Sequence, residues 1–125
     1  ARAACAKLAD SGFSLLSQSV LLRGVNDDPT TLKDLMRTFV ECRIKPHYLH
    51  HGDLARGTSH FRVPIAEGQA LVKSLRGHLS GLCQPTYMLD IPGGHGKAAI
   101  TPCAITSNGN AWSVEDHHGQ RHEYR

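Results

Sequence analysis

The 125 residues predict an α/β fold built of β/α units and closed by a terminal β-hairpin. Three observations carry this. Apolar strand-like runs alternate with amphipathic helical stripes in the order strand, helix, strand, helix, strand. The helical stripes open at a threonine or a proline, and a glycine follows two of the helical segments. The tail instead shows short alternating segments around a turn-rich stretch, the pattern of an antiparallel hairpin.

Taken in order, Ala1–Asp10 reads as a helix already under way, with Gly12 as its C-terminal cap. Ser14–Leu22 is the first strand, apolar and buried, with Gln18 as its polar exception. Thr30 or Thr31 caps a helix whose apolar set is Leu32, Leu35, Met36, Phe39 and Val40, the stripe of one buried face, and that helix ends near Arg43. Pro46–His50 is a short second strand, followed by a polar loop through Thr58. Pro64 opens a helix carrying Ala70, Leu71, Leu75 and Leu79, which Gly81 stops. Thr86–Asp90 is the third strand, and after a glycine loop the chain turns through Ile100–Ile105. In the tail, Trp112 and Val114 are separated from Arg121 and Tyr124 by the turn Asp116-His117-His118-Gly119.

A chain of this length forms one domain with a modest core. Fourteen Lys and Arg stand against eleven Asp and Glu, for a net charge of +3, and the basic residues are scattered rather than gathered in a stripe, which excludes a nucleic-acid partner. There is no repeat, no low-complexity tract and no apolar run of transmembrane length, so no membrane partner is expected. Cys5, Cys42, Cys83 and Cys103 are widely spaced, and no signal peptide is expected. They are expected to be reduced, mostly buried thiols of a cytoplasmic protein.

The chemistry concentrates in Met88-Leu89-Asp90-Ile91-Pro92-Gly93-Gly94-His95-Gly96-Lys97, where an apolar strand ends on a carboxylate and runs into a glycine loop carrying one lysine. Glycines let the backbone take φ > 0 and approach a ligand closely, so Lys97 sits on a segment able to deliver its amine and withdraw it. Lysines with that freedom form Schiff bases or grip phosphates. A nucleotide P-loop is excluded, because the glycine it needs before Gly-Lys is Ile91 and the Ser or Thr it needs after is Ala98. A plain surface turn between two strands is the structural alternative.

Gln18, inside an apolar strand, must find a hydrogen-bond partner, and a satisfied core glutamine is its plain reading. His47, His50, His51 and Asp53 together offer metal-ligand types. Strand alternation puts His47 and His51 on one face and His50 opposite, so they do not converge, and no metal is expected in this chain. His117, His118 and His122 read as solvated. Arg62 pairs a phosphate, a carboxylate, or a salt-bridge partner at a surface or interface.

The blocks Ser17-Gln18-Ser19-Val20-Leu21-Leu22, Gly24-Val25-Asn26-Asp27, Pro46-His47-Tyr48-Leu49, Asp53-Leu54, Ser59-His60-Phe61-Arg62, Ser80-Gly81 and Pro92-Gly93-Gly94-His95-Gly96-Lys97 occur together and in order. From about Ser11 to about Pro102 the chain thereby resembles the C-terminal portion of the lysine 2,3-aminomutase family. The resemblance implies the C-terminal part of a partial (β/α) radical-SAM-type barrel. Residues 1–91 would be its last β/α units, and 92–125 the lysine-bearing loop and a C-terminal β extension.

It further implies that Lys97 forms the Schiff base with pyridoxal phosphate (PLP), that Asp53 and Asp90 hold the distal ammonium of the substrate, that Gln18 contacts S-adenosylmethionine (SAM), and that His50 faces a cofactor where some members carry tyrosine. Both aspartates lie just past strand ends, where ligands sit in barrels of parallel strands. Two carboxylates offset the desolvation of an ammonium and repel a carboxylate. The related glutamate aminomutases differ at these two positions, which favours L-lysine as substrate.

The implied cofactors are PLP, SAM and a [4Fe-4S] cluster, whose Cys-x-x-x-Cys-x-x-Cys ligands are absent from this chain. The implied reaction interconverts L-lysine and L-β-lysine by a radical amino shift. The chain is accordingly expected to be a C-terminal fragment of a longer, homo-oligomeric enzyme, inactive alone. The nearest alternative is the relative that prepares β-lysine for attachment to an elongation factor, which lacks the aspartate before the loop. A stand-alone PLP or metabolite-binding module, and a metal-dependent hydrolase built on the histidine-rich strand, rank below it.

Overall fold

A computed structural model of the chain describes residues 1–124. Helix α1 (Arg2–Asp10) precedes strand β1 (Leu15–Val20), helix α2 (Pro29–Glu41), strand β2 (Ile44–His50), helix α3 (Ile65–Ser74) and strand β3 (Thr86–Asp90). Strand β4 (Lys97–Ala99) returns beside β3, and β5 (Ile105–Asn108), β6 (Ala111–Glu115) and β7 (Arg121–Tyr124) form a second sheet. The first sheet has the order β1-β2-β3-β4, parallel through β3, with β4 antiparallel. Parallel neighbours need crossovers, and α2 and α3 supply them. The α/β class and the strand–helix order agree with the sequence reading. The tail holds three antiparallel strands rather than one hairpin, the extra turn being the two-residue Gly109-Asn110 between β5 and β6, with Gly109 at φ +65°.

Local chemistry explains the element ends. At α1, Gly12 takes φ +86°, its N–H donates to Ala9 O and the Phe13 N–H donates to Leu8 O, the paired bonds of a glycine-capped terminus. The cap of α2 is Asp28, not Thr30 or Thr31: its carboxylate accepts from both threonine N–H groups while Pro29 occupies the first turn. α3 ends at Ser74, well short of Gly81. Its last turn tightens through Arg76 N–H to Lys73 O, and Gly77 at φ +77° diverts the chain. Leu79 therefore packs on the core from a loop, and Gly81 instead opens a short 3₁₀ turn.

The core lies on one face of the first sheet. Leu21, Leu32, Met36, Leu49, Val72, Leu75 and Tyr87 are fully buried there, and Leu35, Phe39 and Val40 complete the α2 stripe at its margin. Each fully buried leucine contributes about 1.5–3 kcal/mol. The expectation that β1 is buried throughout does not hold, because its residues alternate: Ser17 is buried while Leu16, Gln18 and Val20 are exposed on the opposite face. β2 breaks alternation as well. Ser17 pairs with Pro46 but Gln18 pairs with Tyr48, so His47 is an extra residue in the ladder. The bulge resets the phase, with Pro46 and Leu49 both buried, and His47 stacks on Tyr48 at 3.8 Å instead of sharing a face with His51.

Tyr87 anchors the layer. Its hydroxyl lies 2.8 Å from His51 Nδ1, and its ring packs so closely on α3 that a Cβ added to Gly68 would lie 2.0 Å from the hydroxyl oxygen. Burial pushes the phenol up to about 12 and holds the His51 imidazole below its ordinary value, with Arg62 adding to the latter shift and Asp53 opposing it. Both shifts favour the neutral forms, so the bond joins an uncharged phenol to an uncharged imidazole.

The second sheet is tied to α3 by the ion pair between Lys73 and Glu115. In its β6–β7 turn, Asp116 accepts from His122 Nε2 and from the amides of Gln120 and His118, which hold its carboxyl down to about 2. All four cysteines are free thiols, but only Cys83 is buried: Cys5 and Cys42 are half-buried and Cys103 is exposed. Among the described residues no helix is long and apolar enough to cross a membrane.

Replacing Gly68 by alanine is expected to destabilise the protein by about 1–3 kcal/mol, because the Tyr87 ring is fully buried and bonded at its tip. Chemical denaturation measures this, and an unchanged midpoint would show that the ring can step aside.

Candidate active site

The face of the first sheet opposite the helices carries the candidate residues. β1 contributes Gln18, β2 contributes His50, β3 ends on Asp90 and β4 begins on Lys97, so four adjacent strands each place one polar side chain in a single row. The row is bonded end to end. Gln18 Oε1 lies 3.2 Å from His50 Nε2, His50 Nδ1 lies 3.1 Å from Asp90 Oδ2, and Lys97 Nζ donates to Asp90 Oδ1 at 2.5 Å.

The backbone explains this convergence. Asp90 and Lys97 are register partners across β3 and β4, and Ile91 N–H donates to Gly96 O at 2.9 Å, closing the loop between them. Gly93, Gly94 and Gly96 all take left-handed φ, at +89°, +79° and +89°. The glycines therefore do a different task from the one read in the sequence. Rather than carrying Lys97 on a mobile tip, they reverse the chain so that Lys97 starts a strand opposite Asp90.

Electrostatics follow from the row. The Lys97 ammonium beside Asp90 holds its carboxyl below the usual range; partial burial opposes this and His50 adds to it. Because a carboxylate only accepts, His50 Nδ1 carries the hydrogen toward Asp90. The Gln18 amide suits either state of the other ring nitrogen, accepting through its oxygen or donating through its NH₂ once turned. The His50 side chain is 12% exposed, whereas that of Lys97 is 48% exposed, so the histidine is held in place and the amine is accessible.

Asp53 does not join this row. It lies in the loop after β2, exposed, and its carboxylate makes no hydrogen bond or ion pair among the described residues. Its backbone oxygen accepts from Arg62 Nη2 at 3.0 Å. Asp53 and Arg62 line a largely apolar cavity of about 190 Å³ with Val20, Leu22 and Phe61. Thus Arg62, read from sequence as an anion or salt-bridge partner, holds the loop that bears Asp53. The buried Tyr87–His51 pair beneath the site also escaped the sequence reading, since nothing local marks a tyrosine in an apolar strand as a hydrogen-bond donor. Among the described residues no group of three or more His, Cys, Asp or Glu side chains is placed to hold a metal ion.

Chemically, the row offers an accessible primary amine, a carboxylate able to hold a cation, and an imidazole that fixes the carboxylate. The Asp90 titration is expected to show the pairing. Its folded value is depressed, so the stability it contributes is present above about 3.8, the ordinary value, and is lost as pH falls through the lowered one. NMR titration should place its midpoint below 3.8, and Lys97→Met should move it back up; no movement would mean that Lys97 does not hold the carboxylate.

Residues 72–118 match the family model described as Lysine-2,3-aminomutase. The chain is 46% identical over 104 residues to the L-lysine 2,3-aminomutase of Clostridium subterminale, covering 83% of this chain and 25% of that protein. It is 41% identical over 104 residues to the L-lysine 2,3-aminomutase of Bacillus subtilis, covering 83% and 22%. With the glutamate 2,3-aminomutase of Clostridioides difficile it shares 37% over 106 residues, covering 85% and 25%. The chain thus spans about a quarter of the length of the curated relatives it matches.

Proposed function

We infer from this chain's membership of the lysine 2,3-aminomutase family, as a C-terminal portion of it, that it forms one wall of the active site of an L-lysine 2,3-aminomutase. This isomerase interconverts L-lysine and L-β-lysine by a radical 1,2-amino shift. The observation that carries the reading is the cross-strand placement of Lys97 and Asp90, an accessible amine and a carboxylate for a cation on one open face. In this reading β1 to β3 with their crossover helices, within residues 1–91, are the last units of a radical-SAM-type barrel. Residues 92–125 are the lysine-bearing segment and its β extension.

The residues present fit pyridoxal phosphate. Lys97 presents a half-exposed primary amine on the open face of the sheet, the group that an aldehyde cofactor requires. The four scattered cysteines do not fit a [4Fe-4S] cluster, so no step of that group is assigned to this chain. When bound, PLP supplies a conjugated system that stabilises the unpaired electron of the shift, and SAM supplies the radical.

This chain's own residues bind and aim. Lys97 anchors the cofactor through Nζ. Asp90 and Asp53 hold the distal ammonium of L-lysine, each charge-assisted bond offsetting part of its desolvation. His50 keeps Oδ2 of Asp90 in place, and Gln18, at the far end of the row, faces SAM. Paired carboxylates favour a cationic side chain over the γ-carboxylate of glutamate.

Two tests are decisive. Full-length protein incubated with PLP and borohydride should gain a stable adduct mapping to Lys97, absent in Lys97→Ala; an adduct elsewhere, or none, would overturn the assignment. Asp90→Asn should lower kcat/KM for L-lysine by about 10- to 150-fold, the worth of one hydrogen bond to a charged group. The isolated 125-residue chain should be inactive in the same assay.

A further inference from the structure

The cavity of about 190 Å³ that Asp53 lines has a wall of Val20, Leu22, Ala55 and Phe61. Val20 is the register partner of His50, which sets this cavity beside the row. Its polar groups are engaged or buried, with one exception. Arg62 Nη2 donates to the Asp53 backbone oxygen at 3.0 Å, Arg62 Nε is buried, and the Thr58 hydroxyl donates to Ala55 O at 2.8 Å. The exception is the Asp53 carboxylate, which has no hydrogen bond or ion pair among the described residues. The opposite charges of Asp53 and Arg62 leave the lining without net charge, while Val20 and Phe61 are 42% and 38% exposed. Such a cavity suits an uncharged apolar group carried next to a cation that stays at Asp53.

A primary ammonium has three N–H donors, and two carboxylates beside an apolar wall leave the third without a protein acceptor. A secondary ammonium matches the surroundings better. It has one N–H for Asp53, one for Asp90, whose carboxylate retains acceptor sites beyond its two partners, and an alkyl group for the wall. We propose that this cavity is an alkyl subsite and that the full-length enzyme also isomerises Nε-methyl-L-lysine. The inference rests on Asp53 and Asp90 holding the distal ammonium, as in the proposed function. The methyl group gains apolar contact with Val20, Leu22 and Ala55, and the Phe61 ring attracts an alkylammonium. The α-amino group and one hydrogen exchange places between the α and β carbons, so the product is an isomer, Nε-methyl-β-lysine, and the methylated nitrogen takes no part in the reaction.

The test supplies full-length protein, loaded with PLP, SAM and a reduced cluster, with L-lysine and its Nε-mono-, di- and trimethyl forms, and measures each β-isomer by mass spectrometry. The monomethyl form should show a kcat/KM from equal to L-lysine up to about fourfold higher, the worth of one buried methyl. The trimethyl form, which has no N–H for either carboxylate, should fall about 10- to 150-fold below L-lysine. Ala55→Leu fills the cavity from a residue outside the row. It should lower the monomethyl value about fivefold or more through overpacking, and leave L-lysine within about twofold.

Turnover of L-lysine with a monomethyl value far below it would overturn the subsite while leaving the aminomutase reading standing. Absence of L-lysine turnover in the wild type would overturn that reading, and the subsite with it. Unchanged discrimination in Ala55→Leu would place the methyl group elsewhere and overturn the subsite. If that variant loses both substrates, the wild-type series decides. The monomethyl form at or above L-lysine with the trimethyl form below it supports the subsite, and equal values for mono- and trimethyl forms overturn it.

Discussion

The burial of Tyr87 is the constraint on which the rest of the structure depends. A tyrosine at the centre of an apolar layer must give its hydroxyl a hydrogen-bond partner, and the partner here is His51, the first residue past β2. Its ring leaves no room for a side chain on α3, which explains Gly68. Its backbone is held from the other side: the N–H donates to Thr101 Oγ1 and the oxygen accepts from Ile100 N–H, both just past β4. One residue thus fixes β3 against α3, against the end of β2 and against the segment after β4. These are the elements that present His50, Asp90 and Lys97.

Because both crossover helices cover the same face of the sheet, the opposite face stays free for polar side chains. That asymmetry lets a glutamine, a histidine, a carboxylate and an ammonium stand in a row without the penalty of full burial. Partial exposure also limits what the ion pair contributes. Asp90 is the hub, since its two oxygens reach the strands on either side of β3, β2 through His50 and β4 through Lys97. Its place at the tip of β3 is where an open parallel sheet collects ligands.

The second sheet is attached by different means. Lys73 on α3 pairs with Glu115 at the end of β6, and Gly77 approaches His117 so closely that a Cβ there would overlap the ring. Asp116 then organises the following turn through three acceptor contacts. None of these groups belongs to the row on the first sheet.

The sequence by itself determined the helices that carry an apolar stripe, the Thr86–Asp90 strand and the family likeness, because periodicity, turn residues and motif order are local properties. It could not show that β1 exposes Leu16 and Val20, that a bulge at His47 rephases β2, or that α3 stops at Ser74. Those outcomes depend on which neighbours cover each face. Lys97 shows the division most clearly. Its spacing from Asp90 was legible as a glycine loop, but only pairing across β3 and β4 turned that spacing into a bonded pair. Tertiary structure also left Asp53 outside the row, for a loop residue takes its position from the contacts its own loop makes, here the bond from Arg62 to its backbone oxygen.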